Sequence, residues 1–356
     1  MKSKIGIISV FVAALVTGIF WLAPDSRLEK GMVIVAAVPS GIDLINDDLG
    51  VDNRYFPGSQ ILALKTDAGN DNTEPVLLSE GFYSARAPEV SYDGEKMVFS
   101  GQKEKGDTWQ IFTMDLKSFK FNQVTDGSEH CTDPAWMPDG RIAFSKLTND
   151  KIAGPLHRLF ACDPEGEGIV QLTYSPNSSI ASSIFQDGRI LVLDEQKYPE
   201  KGQRKLMAMR IDGTISELFY ENTGSKEVTG KGWEVGEEVY FIERESEHPH
   251  KTSLASVKQG YPLSSYMNLS EDIPGSFNSV SSGQEGTLLV SYKKENDGAF
   301  GLHIFDPHKP ELSEVKYSNP DFHIIEPVLV SERQVPMKLP EIVDESKEKG
   351  RLLCLN

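Results

Sequence analysis

The chain has 356 residues, 36 of them Lys or Arg and 53 Asp or Glu, for a formal net charge of -17. That balance excludes a nucleic-acid-binding surface and a basic membrane-docking face, since either needs clustered cations facing phosphates. Three cysteines, Cys131, Cys162 and Cys354, with no CxxC or CxxCH spacing, exclude a disulfide framework, a zinc ribbon and covalently attached haem.

The first element is a charge-free apolar run of 19 residues, 5–23, preceded by Lys2 and Lys4 and followed by Pro24, Asp25 and Arg27. Roughly 20 apolar residues cross a bilayer core as a helix, and an ordinary signal-peptide core is shorter, about 7 to 15. No small-x-small cleavage site stands out and no Cys follows to accept a lipid. The run reads as an uncleaved signal anchor, with a removed signal peptide as the alternative. Its lysines place the N-terminus in the cytoplasm and the chain from about Asp25 onward outside it, in a periplasmic or extracytoplasmic space.

The rest of the chain repeats. Five segments align: APEVSYDGEKMVFSG (87–101), DPAWMPDGRIAFSK (133–146), SSIFQDGRILVLDE (182–195), KGWEVGEEVYFIER (231–244) and VSSGQEGTLLVSYK (280–293). Their turn glycines, Gly94, Gly140, Gly188, Gly236 and Gly286, are spaced by 46, 48, 48 and 50 residues, the period of a four-stranded propeller blade. Further short strands follow inside each unit, such as WQIFTMDL and FNQVTDG or HRLFACDP and IVQLTYS, alternating or β-branched and bounded by Asp, Gly, Asn and Pro. The recurring Asp93, Asp139 and Asp187 are explained by the turn itself, which takes residues that tolerate positive φ.

A sixth unit is divided between the ends of the chain. MVIVAAV (32–38), SQILALKT (59–66) and PVLLSEG (75–81) read as its outer three strands and HIIEPVLV (323–330) as the missing first one, which closes the ring and leaves no exposed sheet edge. The expected fold is all-β: a six-bladed β-propeller over 25–331, after a hydrophobic helix in 1–24 and before a C-terminal extension, 332–356. In that extension Pro336, Pro340 and DESKEKG form a linker to one orphan strand, RLLCLN. The strand is expected to add to a blade edge, pair with a partner or begin a further domain.

DPAWMPDGRIAFSK and its counterparts resemble the repeat of TolB-type periplasmic propellers, which also occur in some peptidases and pectate-type lyases. The resemblance covers roughly 31–331 and implies the fold without implying one activity. A narrower similarity is to the propeller domain of hydrazine synthase alpha subunit-like proteins. There a run like HCTDPAWMPDGRIAF (130–144) is followed, after the propeller, by stretches like EPVLVSERQVPMKLP (326–340) and GRLLCLN (350–356). Such relatives continue into further domains, often with CxxCH motifs. This chain has none, so their redox activity is not carried over.

Aligning the blades puts Arg86, His130, Lys231, Asn278, His323 and Glu326 near the starts of innermost strands, at the channel mouth, where polar groups would recognise a peptide or small molecule. His130, Cys131 and Asp133 combine imidazole, thiol and carboxylate. Strand alternation sends neighbours to opposite faces, so a blade-to-blade hydrogen bond from Asp133 and a buried thiol is the simpler expectation. His248 and His250 share a loop, and lyases resembling this fold use a histidine-bound metal; a solvated hairpin loop explains the pair equally. Acidic loops at 43–53 and 67–74 lack calcium-loop spacing. GSKEVTGKG (224–232) fails as a phosphate loop, with one residue too many between glycines and no Ser or Thr after Lys231. No GxSxG, HExxH or dinucleotide fingerprint occurs.

The functional expectation is a non-catalytic envelope scaffold that binds proteins or peptides, with no cofactor implied. The alternative is a metal-dependent propeller enzyme or enzyme subunit acting on a small molecule or polysaccharide. Ring closure has a direct check: deleting Phe322–Val330 lowers the melting temperature far more than deleting 332–356, and equal losses would refute closure.

Overall fold

The computed structural model describes residues 28–44, 54–66, 74–222, 224–295, 297–340 and 342. The apolar run 5–23, Cys354 with the RLLCLN strand, and most of the acidic loops 43–53 and 67–74 lie outside them.

Six antiparallel sheets stand around one axis. The first sheet holds β1 (Val33–Pro39), β2 (Gln60–Leu64) and β3 (Val76–Leu77). The second holds β4 (Ser84–Val90), β5 (Lys96–Gln102), β6 (Gln110–Asp115) and β7 (Phe121–Gln123). The third holds β8 (Cys131–Trp136), β9 (Ile142–Asp150), β10 (Gly154–Cys162) and β11 (Val170–Gln171), and the fourth β12 (Asn177–Ile184), β13 (Ile190–Gln196), β14 (Arg204–Met209) and β15 (Glu217–Tyr220). In the fifth, β16 (Lys226–Val228) and β17 (Trp233–Val235) share β18 (Glu238–Glu245), followed by β19 (Thr252–Lys258) and β20 (Met267–Asn268). The sixth holds β21 (Ser276–Ser282), β22 (Leu288–Lys293), β23 (Gly301–Asp306) and β24 (Glu311–Leu312). Finally β25 (Phe322–Leu329) pairs antiparallel with β1, from Val33 opposite Leu329 to Pro39 opposite Phe322.

The core lies between neighbouring sheets. Ile34, Ile61 and Ala63 of the first pack on Met97, Phe99 and Phe112 of the second, while Val33, Val35 and Ala37 face Leu289 and Leu302 of the sixth. Because β1 is covered on both faces, it reads as a continuous apolar run instead of alternating. The five repeat glycines all take positive φ, as the turn reading requires.

Each innermost strand is irregular at the same depth. Two residues oppose one where Ala87 and Pro88 interrupt β4, Asp133 and Pro134 interrupt β8, and Glu326 and Pro327 interrupt β25. Single residues, Ser182 and Asn278, bulge in β12 and β21. The fifth blade is the most interrupted: Thr229–Gly232 separate β16 from β17, the Thr229 N–H still reaching Ile242 O at 2.9 Å. Ala87, Asp133 and Glu326 have φ of 52°, 51° and 51°, a left-handed conformation that costs a residue with a Cβ about 1–2 kcal/mol. Each precedes a proline, which has no N–H to lose from the ladder. Such bulges re-aim side chains, here toward the axis.

Among the described residues beyond β25 the chain forms no further strand. It crosses the propeller face that carries the Asp-Gly turns, from Arg333, whose N–H reaches Tyr92 O at 2.8 Å, to Met337 on Gln186 O (2.9 Å) and Ile342 on Asp212 Oδ2 (3.0 Å). Gly188, at φ +88°, lies under this strap: a Cβ there would meet Met337 O at 2.0 Å. Gly140, at φ +90° in the third blade, has nothing within 4 Å of the same position. Gly140→Ala and Gly188→Ala should therefore both lose about 1–2 kcal/mol to backbone strain, whereas only Gly188→Ala should speed tryptic cleavage at Arg333 or Lys338. Equal cleavage rates would refute the strap contact.

Candidate functional site at the propeller axis

Bulged inner strands from neighbouring blades bind one another through ionised side chains. Arg86 of β4 is 2% exposed and pairs with Glu326 of β25, whose second oxygen accepts the Ala87 N–H at 2.8 Å. The same guanidinium donates to Thr132 Oγ1 at 3.3 Å, to Arg54 O at 3.2 Å and to Asp133 Oδ1 at 3.5 Å. Asp133 is fully buried and also accepts from Arg54 Nε at 3.0 Å, while its own N–H donates to Ser100 Oγ at 3.1 Å. Glu326 N–H donates to Ser279 Oγ of the sixth blade at 2.8 Å. Four consecutive blades, the sixth, first, second and third, are thereby linked at the axis.

Burial alone would raise the Asp133 carboxyl, but the charges of Arg54, Arg86 and Lys231 outweigh it and hold it well below the carboxylate range. Burial likewise works against the Arg86 cation, and Glu326 and Asp133 reverse that. Glu89, buried farther along the axis, goes the other way: desolvation raises it, although Arg333 and Lys231 pull it down. Arg333 comes from the strap, donating to Val90 O at 2.5 Å and lying between the rings of Tyr92 and Trp233, at 5.0 and 5.5 Å from their centroids. It so links the second blade to the fifth at one end of the channel.

Beside this network is a cavity of about 140 Å³. Arg54, Arg86, Lys231, Asn278 and Glu326 line it with polar groups, and Phe56, Trp233, Phe277 and Phe300 with aromatic ones. Arg204 and Arg244 also reach it, held by Glu195 at 3.3 Å and by Glu227 at 2.7 Å.

Four of the residues expected at the mouth, Arg86, Lys231, Asn278 and Glu326, thus come together, with Asp133 directly behind them. His130 and His323 are outside the lining set. They repeat one structural arrangement: His130 Nδ1 accepts the Trp109 N–H at 3.1 Å and His323 Nδ1 the Phe300 N–H at 3.2 Å, each joining its inner strand to the third strand of the preceding blade. Burial lowers both imidazoles, and Tyr55 packs on His130 at 4.5 Å.

His130, Cys131 and Asp133 do not converge. Cys131 enters the core between the second and third blades with Cys162, and burial pushes their thiols up to about 11 and about 12. His248 is exposed beside Glu245 at 3.6 Å, and His250 is exposed, its carbonyl accepting from Ser276. Among the described residues no three His, Cys, Asp or Glu side chains are grouped to hold a metal ion. Of the charged residues at the axis, sequence reading missed Arg54, Glu89, Arg204, Arg244 and Arg333; Arg244 and Glu89, which directly follows the bulged Ala87-Pro88 pair, lie in the aligned repeat segments.

No family model matches the chain. In sequence it is similar to hydrazine synthase subunit alpha of Kuenenia stuttgartiensis, 22% identical over 351 residues, covering 80% of this chain and 42% of that protein. In structure it is similar to Kuenenia stuttgartiensis hydrazine synthase, with a TM-score of 0.71 and 19% identity over 88% of this chain and 48% of that one. TolB from Acinetobacter baumannii gives a TM-score of 0.58 with 13% identity, covering 84% of this chain and 66% of that one. A chain of the nidogen/laminin complex gives 0.60 with 10% identity, covering 85% and 100%. The shared feature is the six-bladed propeller. This chain spans less than half the length of the hydrazine synthase chains it matches.

Removing Asp133 tests the network. Asp133→Asn leaves Arg54 and Arg86 short of a buried counter-charge, a change that costs about 3–5 kcal/mol in such pairs. Since the folded carboxyl sits below its unfolded pKa of about 3.9, its contribution is complete above that value and is lost as pH falls below it. Urea unfolding should show the full deficit of Asp133→Asn at pH 7 and a shrinking one below about pH 4. A deficit independent of pH would refute the assignment.

Proposed function

We propose that this chain is a non-catalytic propeller scaffold of the cell envelope that binds a protein or peptide segment at the axial cavity. The apolar run 5–23 would hold it to the cytoplasmic membrane with the propeller outside. The observation that carries this reading is the cavity itself, a recess of about 140 Å³ whose lining comes from several blades and mixes fixed charges with aromatic rings. Its lining offers recognition more readily than proton transfer: Glu326 and the adjacent Asp133 are engaged by arginines, and the nearby histidines accept backbone N–H groups. A propeller of similar fold occurs in the nidogen/laminin complex, which supports protein binding as a use of this architecture. The net charge of -17 supports a protein ligand over nucleic acid.

A second reading, a metal-dependent propeller enzyme or a subunit of a redox complex, is favoured by the similarity to hydrazine synthase. The two part in one experiment: affinity purification of the tagged full chain from membranes of its native host, with elemental analysis of the same sample. The scaffold reading expects stoichiometric envelope proteins and less than about one metal ion per ten chains. A stoichiometric metal without protein partners would overturn it in favour of the second.

A further inference from the structure

We propose that the axial cavity is a carboxylate-binding site and that Lys231 supplies its uncompensated charge. The argument begins with the charges that face one another at the axis. Among the described residues, the cations are Arg54, Arg86, Lys231 and Arg333, and the acids are Asp133, Glu326 and Glu89. One positive charge is in excess. Arg204 and Arg244 are counted apart, since each is held in an ion pair within its own blade, Arg204 by Glu195, which Lys197 also meets at 3.1 Å, and Arg244 by Glu227.

Geometry assigns the excess to Lys231. Asp133 is already taken by Arg54 through Nε at 3.0 Å. Lys231 Nζ stands 3.7 Å from Asp133 Oδ1, beyond hydrogen-bond length, with 22% of its side chain exposed. It rises from Thr229–Gly232, the stretch in which the fifth blade's inner strand leaves its ladder, between Gly230 and Gly232. A second observation points the same way. Arg86, 2% exposed and lining the cavity, has no hydrogen-bond partner for its Nε. A buried donor left unpaired is costly unless a ligand completes it.

An anion placed here would gain more than at the surface, since attraction strengthens as water is excluded. A cavity of about 150 Å³ is known to admit benzene, so this one takes roughly six non-hydrogen atoms, enough for a carboxylate and two or three carbons. Phe56, Trp233, Phe277 and Phe300 would pack on the carbons, and Asn278 adds an amide beside the carboxylate. The side chain of a glutamate or aspartate in a peptide and a free short-chain monocarboxylate share this chemistry. The proposal extends the scaffold reading by naming the ligand's chemistry, and rests on it for the site's use.

The test is calorimetric titration of the full chain with three probes: sodium butyrate, the blocked peptide acetyl-Gly-Glu-Gly-amide and its neutral isostere acetyl-Gly-Gln-Gly-amide. At least one carboxylate should bind, the Gln peptide should bind at least tenfold more weakly than the Glu peptide if the source is a peptide, and butyrate alone should bind if it is a free acid. Lys231→Met should weaken the bound carboxylate at least tenfold with the native circular dichroism spectrum retained, and Lys231→Arg should stay within about threefold of the native chain. Failure of both carboxylates to bind, measurable binding of the Gln peptide as tight as that of the Glu peptide, or native affinity in Lys231→Met would each overturn the proposal. Should Lys231→Met not fold, the comparison of probes on the native chain still decides. Envelope proteins that co-purify equally with Lys231→Met and native chain would leave the scaffold reading standing and remove only the carboxylate.

Discussion

Burying a guanidinium at the meeting point of six sheets is the constraint on which the axis depends. Arg86 can stay charged there only because a carboxylate arrives from each side, Glu326 from the first blade and Asp133 from the third. Delivering those carboxylates requires both neighbouring inner strands to bulge at the same depth, with a left-handed residue before proline in each. The strained backbone and the buried charges therefore sustain one another. Strain of this kind persists only where the surroundings over-determine it, and it concentrates at sites that do something besides fold.

Much of the fold was legible because each blade must satisfy the same local demands. A glycine with positive φ must end the inner strand, and apolar residues must cover both faces of the next, so the glycine period of 46 to 50 residues and the run VIVAAV carry the architecture. HIIEPVLV was recognisable as the closing strand because the first unit otherwise supplies only three strands of a four-stranded blade. The site was legible only in part. Arg86, Lys231, Asn278 and Glu326 lie in the repeat and could be aligned. Arg54 comes from a connection outside the period, and Arg333 reaches the axis only because the strap crosses the face above it, so neither leaves a periodic trace.

The two histidines show how alignment can succeed while the role differs. His130 precedes Asp133-Pro134 by the same interval at which His323 precedes Glu326-Pro327. That shared spacing is a signal for a common structural duty, accepting a backbone N–H from the preceding blade, and it is independent of any ligand. Thr229–Gly232 is the converse case. Its glycines look like those of a phosphate loop, yet in the structure they mark the gap in the fifth blade from which Lys231 reaches the axis.

The pairing of β1 with β25 also sets an order of events as the chain is made. Val33 meets Leu329, almost 300 residues later in the sequence; at about 5–20 residues per second, synthesis separates the two by roughly 15 to 60 seconds. Blades two to six can each assemble from contiguous sequence, whereas the first-made sheet is the last to be completed. Throughout that interval β1, wholly apolar and covered on both faces in the finished ring, offers a bare edge to any other strand nearby. The first-made strand of the propeller is thus the part that most needs a holding chaperone.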